Sequence, residues 1–490
     1  MNGKPALLRS PGRPSRDWLT LAGLVIASSV FVGWTMGRYL GQQRLMLLAP
    51  DLAIHFQALL NTLDGHFLRY TIEGQWSPAG QLCYLGSHVS VIQLIYLPVI
   101  LVWRHPAALA AGQAVLLAAG SAFIAGLARV KFPEHRAAPI AFAVVYLFTP
   151  LLMTQAHEFH PETLAVPAAA MLFYHHARRQ PRGIAVAGVL MVMCREDACV
   201  FVALFAALFL IPDRQFRVFG SVTAALSAGL FLIELTAVLP HFAGGRVHLW
   251  RYSYLSDALT DPLAAVATSN LRLFPWYFVF ILLPYLLLPV VSPRLLLFAA
   301  AVLAPVVLSS NPGDATFARH YGLPAALPML VGVMCALCRL GERWRRGLLL
   351  ALPLWTVLLN SVDYNSLYLY RYLVPNSGVP WRSAGPPPRF AREAEQALQW
   401  PGTVSAAATM IALARAHTEV YPFPINWRIA DVIITDNRSS YYPLGRQQAE
   451  AALRELEADP QFSVQAAGES LRIYRRATAS IPNSANVPDN

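Results

Sequence analysis

The sequence predicts an all-α polytopic membrane bundle of about eleven spans, followed by a small C-terminal extracytoplasmic α/β domain. Three observations predict it. Of 490 residues, 56% are apolar and only 13% charged, against about 45–50% and about 25% in soluble domains. The apolar residues gather in runs near the length that crosses about 30 Å of hydrocarbon. The net charge of +11 falls wholly within residues 1–362, because residues 363–490 carry 12 basic and 12 acidic side chains. In a soluble protein such an excess would point to nucleic acid. Scattered in short clusters between apolar runs it is a topology signal instead, and no nucleic-acid partner is expected.

The elements follow in order. Residues 1–17 read as a cytoplasmic tail, and apolar runs follow at 18–36, 107–128, 137–153, 162–177, 183–194, 198–212, 216–239, 273–292, 294–311, 321–340 and 347–363. The first run lacks a small-residue cleavage site and reads as an anchor, not a removable signal. A further run, 88–103, is apolar but short and carries His88 and Pro98, so its crossing fixes the parity of everything after it. With a cytoplasmic N-terminus and no crossing at 88–103, 17 of the 26 basic residues before 363 fall inside; with a crossing, only 10 do. The positive-inside rule therefore selects eleven spans over 18–363, in the cell (inner) membrane, with the C-terminus outside.

That topology gives a long first outer loop, 37–106, with the amphipathic stretch DLAIHFQALLNTLDG, and shorter outer loops at 154–162, 194–198, 240–272 and 311–322. Ten of the fifteen acidic residues before 363 face outward, while Glu234 falls within a span. Chemistry is expected on the outer side. A linker covers 364–388, Gly- and Pro-rich over 375–388. The domain at 389–476 then reads as helix (RFAREAEQALQW), strand (TVSAAA), helix (MIALARAH), strand (ADVIITD), helix (445–458) and two short strands, an α/β alternation. Residues 477–490 read as a disordered tail. The five cysteines suggest no disulfide framework; Cys335 and Cys338 read as two small helix residues in a span.

Several outer groups could carry chemistry. Asp51, after Pro50, could accept a proton or bind a cation, or simply cap a helix. His157, Glu158, His160 and Glu162 offer four metal-ligand types in six residues, although Pro161 followed by Glu162 is also an ordinary helix start. Arg195, Glu196 and Asp197 sit at a turn between apolar runs, where three charges need water, each other or a ligand. Arg319 and His320 stand at the outer end of another span, and His88 at the outer start of 88–103.

The stretches DLAIHFQALLNTLDG, HVSVIQLIYLP, EFHPE, REDA, RHYGLPAALP, TVSA and ADVIITD occur in an order that resembles the uncharacterised membrane family called domain of unknown function 2079. That family is similar to the GT-C superfamily of membrane glycosyltransferases. The resemblance implies a GT-C-like bundle, a polyprenyl-phosphate-linked sugar donor, an acceptor that the sequence does not specify, and often a divalent cation such as Mg or Mn. It also implies an essential acid in the first outer loop, here Asp51, and a second in a later short loop, here Glu158 or Glu162. Phe56 stands where the family commonly has a second Asp, and Arg195 where it commonly has Lys. The expected function is sugar transfer at the outer membrane face, with Asp51, Glu196 and Asp197 catalytic. Arg195, Arg319, His320 and His88 would meet phosphate, and His157, Glu158, His160 and Glu162 would hold the cation. Membrane lipid, including the polyprenyl chain, would lie between spans. A transporter or flippase and a non-catalytic scaffold are the competing classes.

Overall fold

The computed structural model describes residues 18–73, 82–156, 158–244, 260–261, 274–309, 322–361, 389–414, 419–437 and 446–477. In chain order the helices of the membrane part are α1 (Trp18–Arg44), α2 (Pro50–Leu63), α3 (Val91–Val102), α4 (Pro106–Lys131), α5 (Ala138–Leu147), α6 (Pro150–Gln155), α7 (Ala165–Ala177), α8 (Pro181–Val192), α9 (Ala198–Leu210), α10 (Arg217–Phe242), α11 (Phe274–Leu282), α12 (Pro293–Leu308), α13 (Leu323–Arg339) and α14 (Glu342–Ser361). Among the described residues three of them, α1, α4 and α10, are long and apolar enough to cross a membrane; 26 residues at 1.5 Å each extend about 39 Å.

The other runs differ from the uniform spans expected, and the differences have local causes. The run 137–153 breaks into α5 and α6 because Pro150 lacks an amide and Thr149 is extended, with ψ 134°. The side-chain amide of Asn360 then caps the exposed carbonyl of Phe148. The run 273–292 ends as a helix at Leu282, where Pro284 and Pro289 flank two left-handed leucines, Leu286 (φ 53°) and Leu287 (φ 58°).

Helix α4 is the hub of the bundle, packed on α1, α5 and α7. Its Ala- and Gly-rich sequence allows that approach; at Gly120 the ring of Tyr146 and Pro167 fill the space a Cβ would need. Loops that the sequence assigns to one side meet. His135 Nε2 lies 3.3 Å from Glu342 Oε2 and Arg179 Nη1 lies 3.1 Å from Asp213 Oδ2, each joining two loops of the basic side. Helix α3 buries Ile92, Gln93, Tyr96 and Ile100 and exposes Ile95, Val99 and Val102. Its 12 residues, opening as a 3-10 helix, reach at most about 24 Å, short of the hydrocarbon thickness.

A two-stranded ribbon, β1 (Arg69–Tyr70) and β2 (Leu82–Cys83), lies in the first loop. The C-terminal domain carries β3 (Val404–Ala406), β4 (Val420–Pro422), β5 (Val432–Asp436), β6 (Phe462–Ala467) and β7 (Leu471–Arg476) in a sheet of order β4-β3-β5-β7-β6. Strands β4, β3 and β5 are parallel, while β7 and β6 add antiparallel. The domain's helices are α15 (Ala391–Ala397) and α16 (Arg446–Ala458). Two expectations change. Of MIALARAH, the described residues 410–414 carry a 3-10 turn at Ile411–Leu413 in place of the start of a helix, and EVYPFP supplies an unforeseen strand, β4, whose Pro422 suits an edge position. Residues 362–388 and 478–490 lie outside the described residues.

Candidate functional site

Helix α2 opens at Pro50, whose missing amide suits the first helical position, so Asp51 sits in the first turn with its carboxylate 48% exposed. Its Oδ2 lies 3.8 Å from His160 Nδ1. The other ring nitrogen of His160 lies 3.5 Å from Glu158 Oε2, and that imidazole is only 5% exposed. Burial alone would lower the pKa of His160, but the hydrogen bond with Glu158 and the charges of Asp51, Glu162 and Glu158 raise it to about 9. At neutral pH the ring is therefore an imidazolium bracketed by two carboxylates.

The backbone of this loop is fixed by Gln113, a fully buried residue of α4. Its Nε2 donates to the carbonyls of Glu158 (2.6 Å) and Ala156 (3.3 Å), and its Oε1 accepts the His160 amide at 2.9 Å. Phe159 wedges between His55 and Tyr96, with ring centroids at 5.2 and 5.0 Å. His55, one helical turn after Asp51, shares a 3.0 Å hydrogen bond with Gln93. Burial lowers its pKa, against the opposing pull of Glu162, Gln93 and Asp51. A neutral imidazole must then donate from Nδ1, because the Gln93 oxygen can only accept.

The turn between α8 and α9 completes the cluster. Arg195 clasps Asp197 with two nitrogens, Nε at 2.8 Å from Oδ1 and Nη2 on Oδ2, and Nη1 lies 3.5 Å from Glu162 Oε1. Glu196 is fully buried; its Oε1 meets His88 Nδ1 at 2.8 Å and its Oε2 accepts the Val89 amide at 3.0 Å. Ile92 donates its amide to the carbonyl of Met193 at 2.9 Å, so the start of α3 is stitched to this turn. Below it Glu234, at the start of a π-helical turn in α10, accepts from the Cys199 thiol at 3.4 Å.

Asp51, His88, Glu158, His160, Glu162, Arg195, Glu196 and Asp197 thus share one end of the bundle. His157, Arg319 and His320 lie outside the described residues. Gln113, Gln93 and His55 were not singled out from the sequence, although a lone Gln in the Ala-rich run of α4 carries a desolvation cost that signals a buried partner. Among the described residues no group of three His, Cys, Asp or Glu side chains is placed to hold a metal ion. His160 is paired with Glu158 and Glu162 turns to Arg195, so the described members of this cluster do not converge on a common metal position.

The arrangement offers a half-exposed carboxylate beside buried cations, suited to taking a proton while an anion forms nearby. A model of the family described as "Predicted membrane protein (DUF2079)" matches residues 42–473. No curated protein matches the chain. Among solved structures, the cryo-EM structure of arabinofuranosyltransferase AftD from Mycobacteria is similar, with 14% identity and a TM-score of 0.45 over 94% of this chain and 40% of that one. The chain thus spans less than half the length of that protein.

Proposed function

Because the chain belongs to the DUF2079 family of membrane proteins, we propose that it is an integral membrane glycosyltransferase, moving a sugar from a polyprenyl-phosphate donor to an acceptor at the outer face of the membrane. The observation that carries this reading is the pairing of half-exposed Asp51 with buried His160, 3.8 Å apart, beside Arg195 and its carboxylates. Asp51 takes the acceptor hydroxyl proton as the acceptor oxygen bonds the anomeric carbon. The bond from that carbon to the phosphate oxygen breaks on the opposite face, and the leaving phosphate keeps the electron pair. Inversion follows from a single displacement.

Arg195, His160 and His88 oppose the charge growing on the phosphate. The clasp on Asp197 and Glu162 neutralises Arg195 until the phosphate replaces one carboxylate. Glu196, fully buried with both oxygens engaged, positions His88 without touching substrate. Arg319 and His320 join the phosphate seat in this proposal. The exposed side of α3 faces lipid and the polyprenyl chain. The orientation, N-terminus cytoplasmic and C-terminal domain outside, is part of the same proposal. The meeting of like-assigned loops at each end supports the parity of the spans, and the excess of basic residues in one set of loops supports the direction.

The test is Asp51→Asn, assayed in membranes with a panel of synthetic polyprenyl-phosphate hexoses and pentoses. Loss of a general base costs about 10²–10⁴-fold. Such a loss with normal membrane insertion supports the reading, while transfer at the wild-type rate removes Asp51 from the base role.

A further inference from the structure

The helix that carries Asp51 is tied to the C-terminal domain just before its start and, through Thr71, from its middle. Its first turn has no side-chain cap, so the helix start depends on other contacts for its position. Leu48, three residues before Asp51 and 1% exposed, donates its amide to the Thr409 carbonyl at 3.0 Å, just after β3. The buried turn Ile411–Leu413 packs along α2.

At the far half of the helix, Gln57 closes a double hydrogen bond on Thr71, with Nε2 to Oγ1 at 2.9 Å and the Thr71 amide to Oε1 at 2.8 Å. The Thr71 hydroxyl then donates to the Val420 carbonyl at 2.7 Å and accepts the Val420 amide at 3.2 Å. One donor and two acceptor positions are all a hydroxyl has, and here all are used. An edge strand such as β4 normally shows unpaired backbone groups; at Val420 a side chain from the first loop of the membrane part satisfies them.

We infer that the C-terminal α/β domain is the seat of the Asp51 helix, with Thr71 as the positioning residue that joins the two. It is a fixed part of the site, held by contacts and not merely by its linker. The inference rests on the proposed role of Asp51 only for its consequence in catalysis, and its test does not use activity.

A protease site placed in 375–388 of the full chain, cut in lipid nanodiscs, separates linker from contact. The C-terminal fragment should stay bound through gel filtration, with the amides of 50–63 as protected from hydrogen exchange as before the cut. Thr71→Val keeps the shape and removes the hydroxyl. It should raise exchange across 50–63 by about tenfold and release the fragment after cleavage, while α4 amides stay unchanged, which sets the effect apart from global unfolding. Thr71→Ser should restore both readouts. Release of the wild-type fragment with 50–63 still protected, or wild-type behaviour in Thr71→Val, would overturn the inference. If Thr71→Val does not fold, Gln57→Leu with the same two readouts decides the matter.

Discussion

Replacing Gln113 by Leu tests the architecture of the site without touching any charged group. Leucine matches the shape but cannot donate or accept. The His160 amide loses its 2.9 Å acceptor and the Glu158 carbonyl its 2.6 Å donor, both where Gln113 is fully buried. A buried group left unpaired costs about 1–3 kcal/mol, so the two together cost about 4 kcal/mol. The leucine returns about 1 kcal/mol by its greater apolar burial. The net expectation is a loss of about 3 kcal/mol, read as the shift in free energy of unfolding by denaturant in mild detergent, followed by tryptophan fluorescence. An unfolding free energy within about 0.5 kcal/mol of wild type, the range of an ordinary surface change, would refute the view that this amide holds the loop.

Three further outcomes are expected. In metal-free buffer, the stability contributed by His160, whose folded pKa is raised to about 9, is complete below about pH 6.5 and lost as pH rises through 9. The difference is about 3 kcal/mol, and unfolding measured from pH 6 to 10 should show that fall in wild type but not in His160→Gln. Gly86→Ala places a Cβ 2.7 Å from the Phe242 carbonyl and 2.8 Å from the Ala243 amide. Backbone cannot yield as a side chain can, so thermal unfolding should register about 1–3 kcal/mol of destabilisation. A phosphatase reporter fused after residue 477 should be active only if the C-terminal domain lies outside, and an inactive but stable fusion would reverse the topology.

Much of this was legible because composition and periodicity report on solvent. The membrane character, the grouping of acidic loops at one end of the bundle and the α/β alternation after residue 388 follow from which side chains water or lipid accepts. The EFHPE and REDA segments were legible as site candidates because charge beside apolar runs is costly without a partner. The partners were not legible: Glu162 with Arg195, or Glu196 with His88, 108 residues apart, depend on tertiary approach that no local pattern encodes. Helix lengths failed for a related reason. Hydropathy sees 137–153 and 273–292 as continuous, but Pro150 and the left-handed pair Leu286–Leu287 interrupt the backbone without changing its polarity. Strand β4 was hidden because its proline argues against a strand unless the neighbouring edge is known.

The bond between Thr71 and Val420 has a consequence in time. Its partners are separated by 349 residues of chain, and at about 5–20 residues per second synthesis takes roughly 17–70 seconds to produce the second after the first. Through that interval the segment bearing Asp51 is already made while its clamp does not yet exist. A nascent chain arrested before residue 420 would display α2 unanchored, so proofreading by proteases or chaperones has a long window at this one loop.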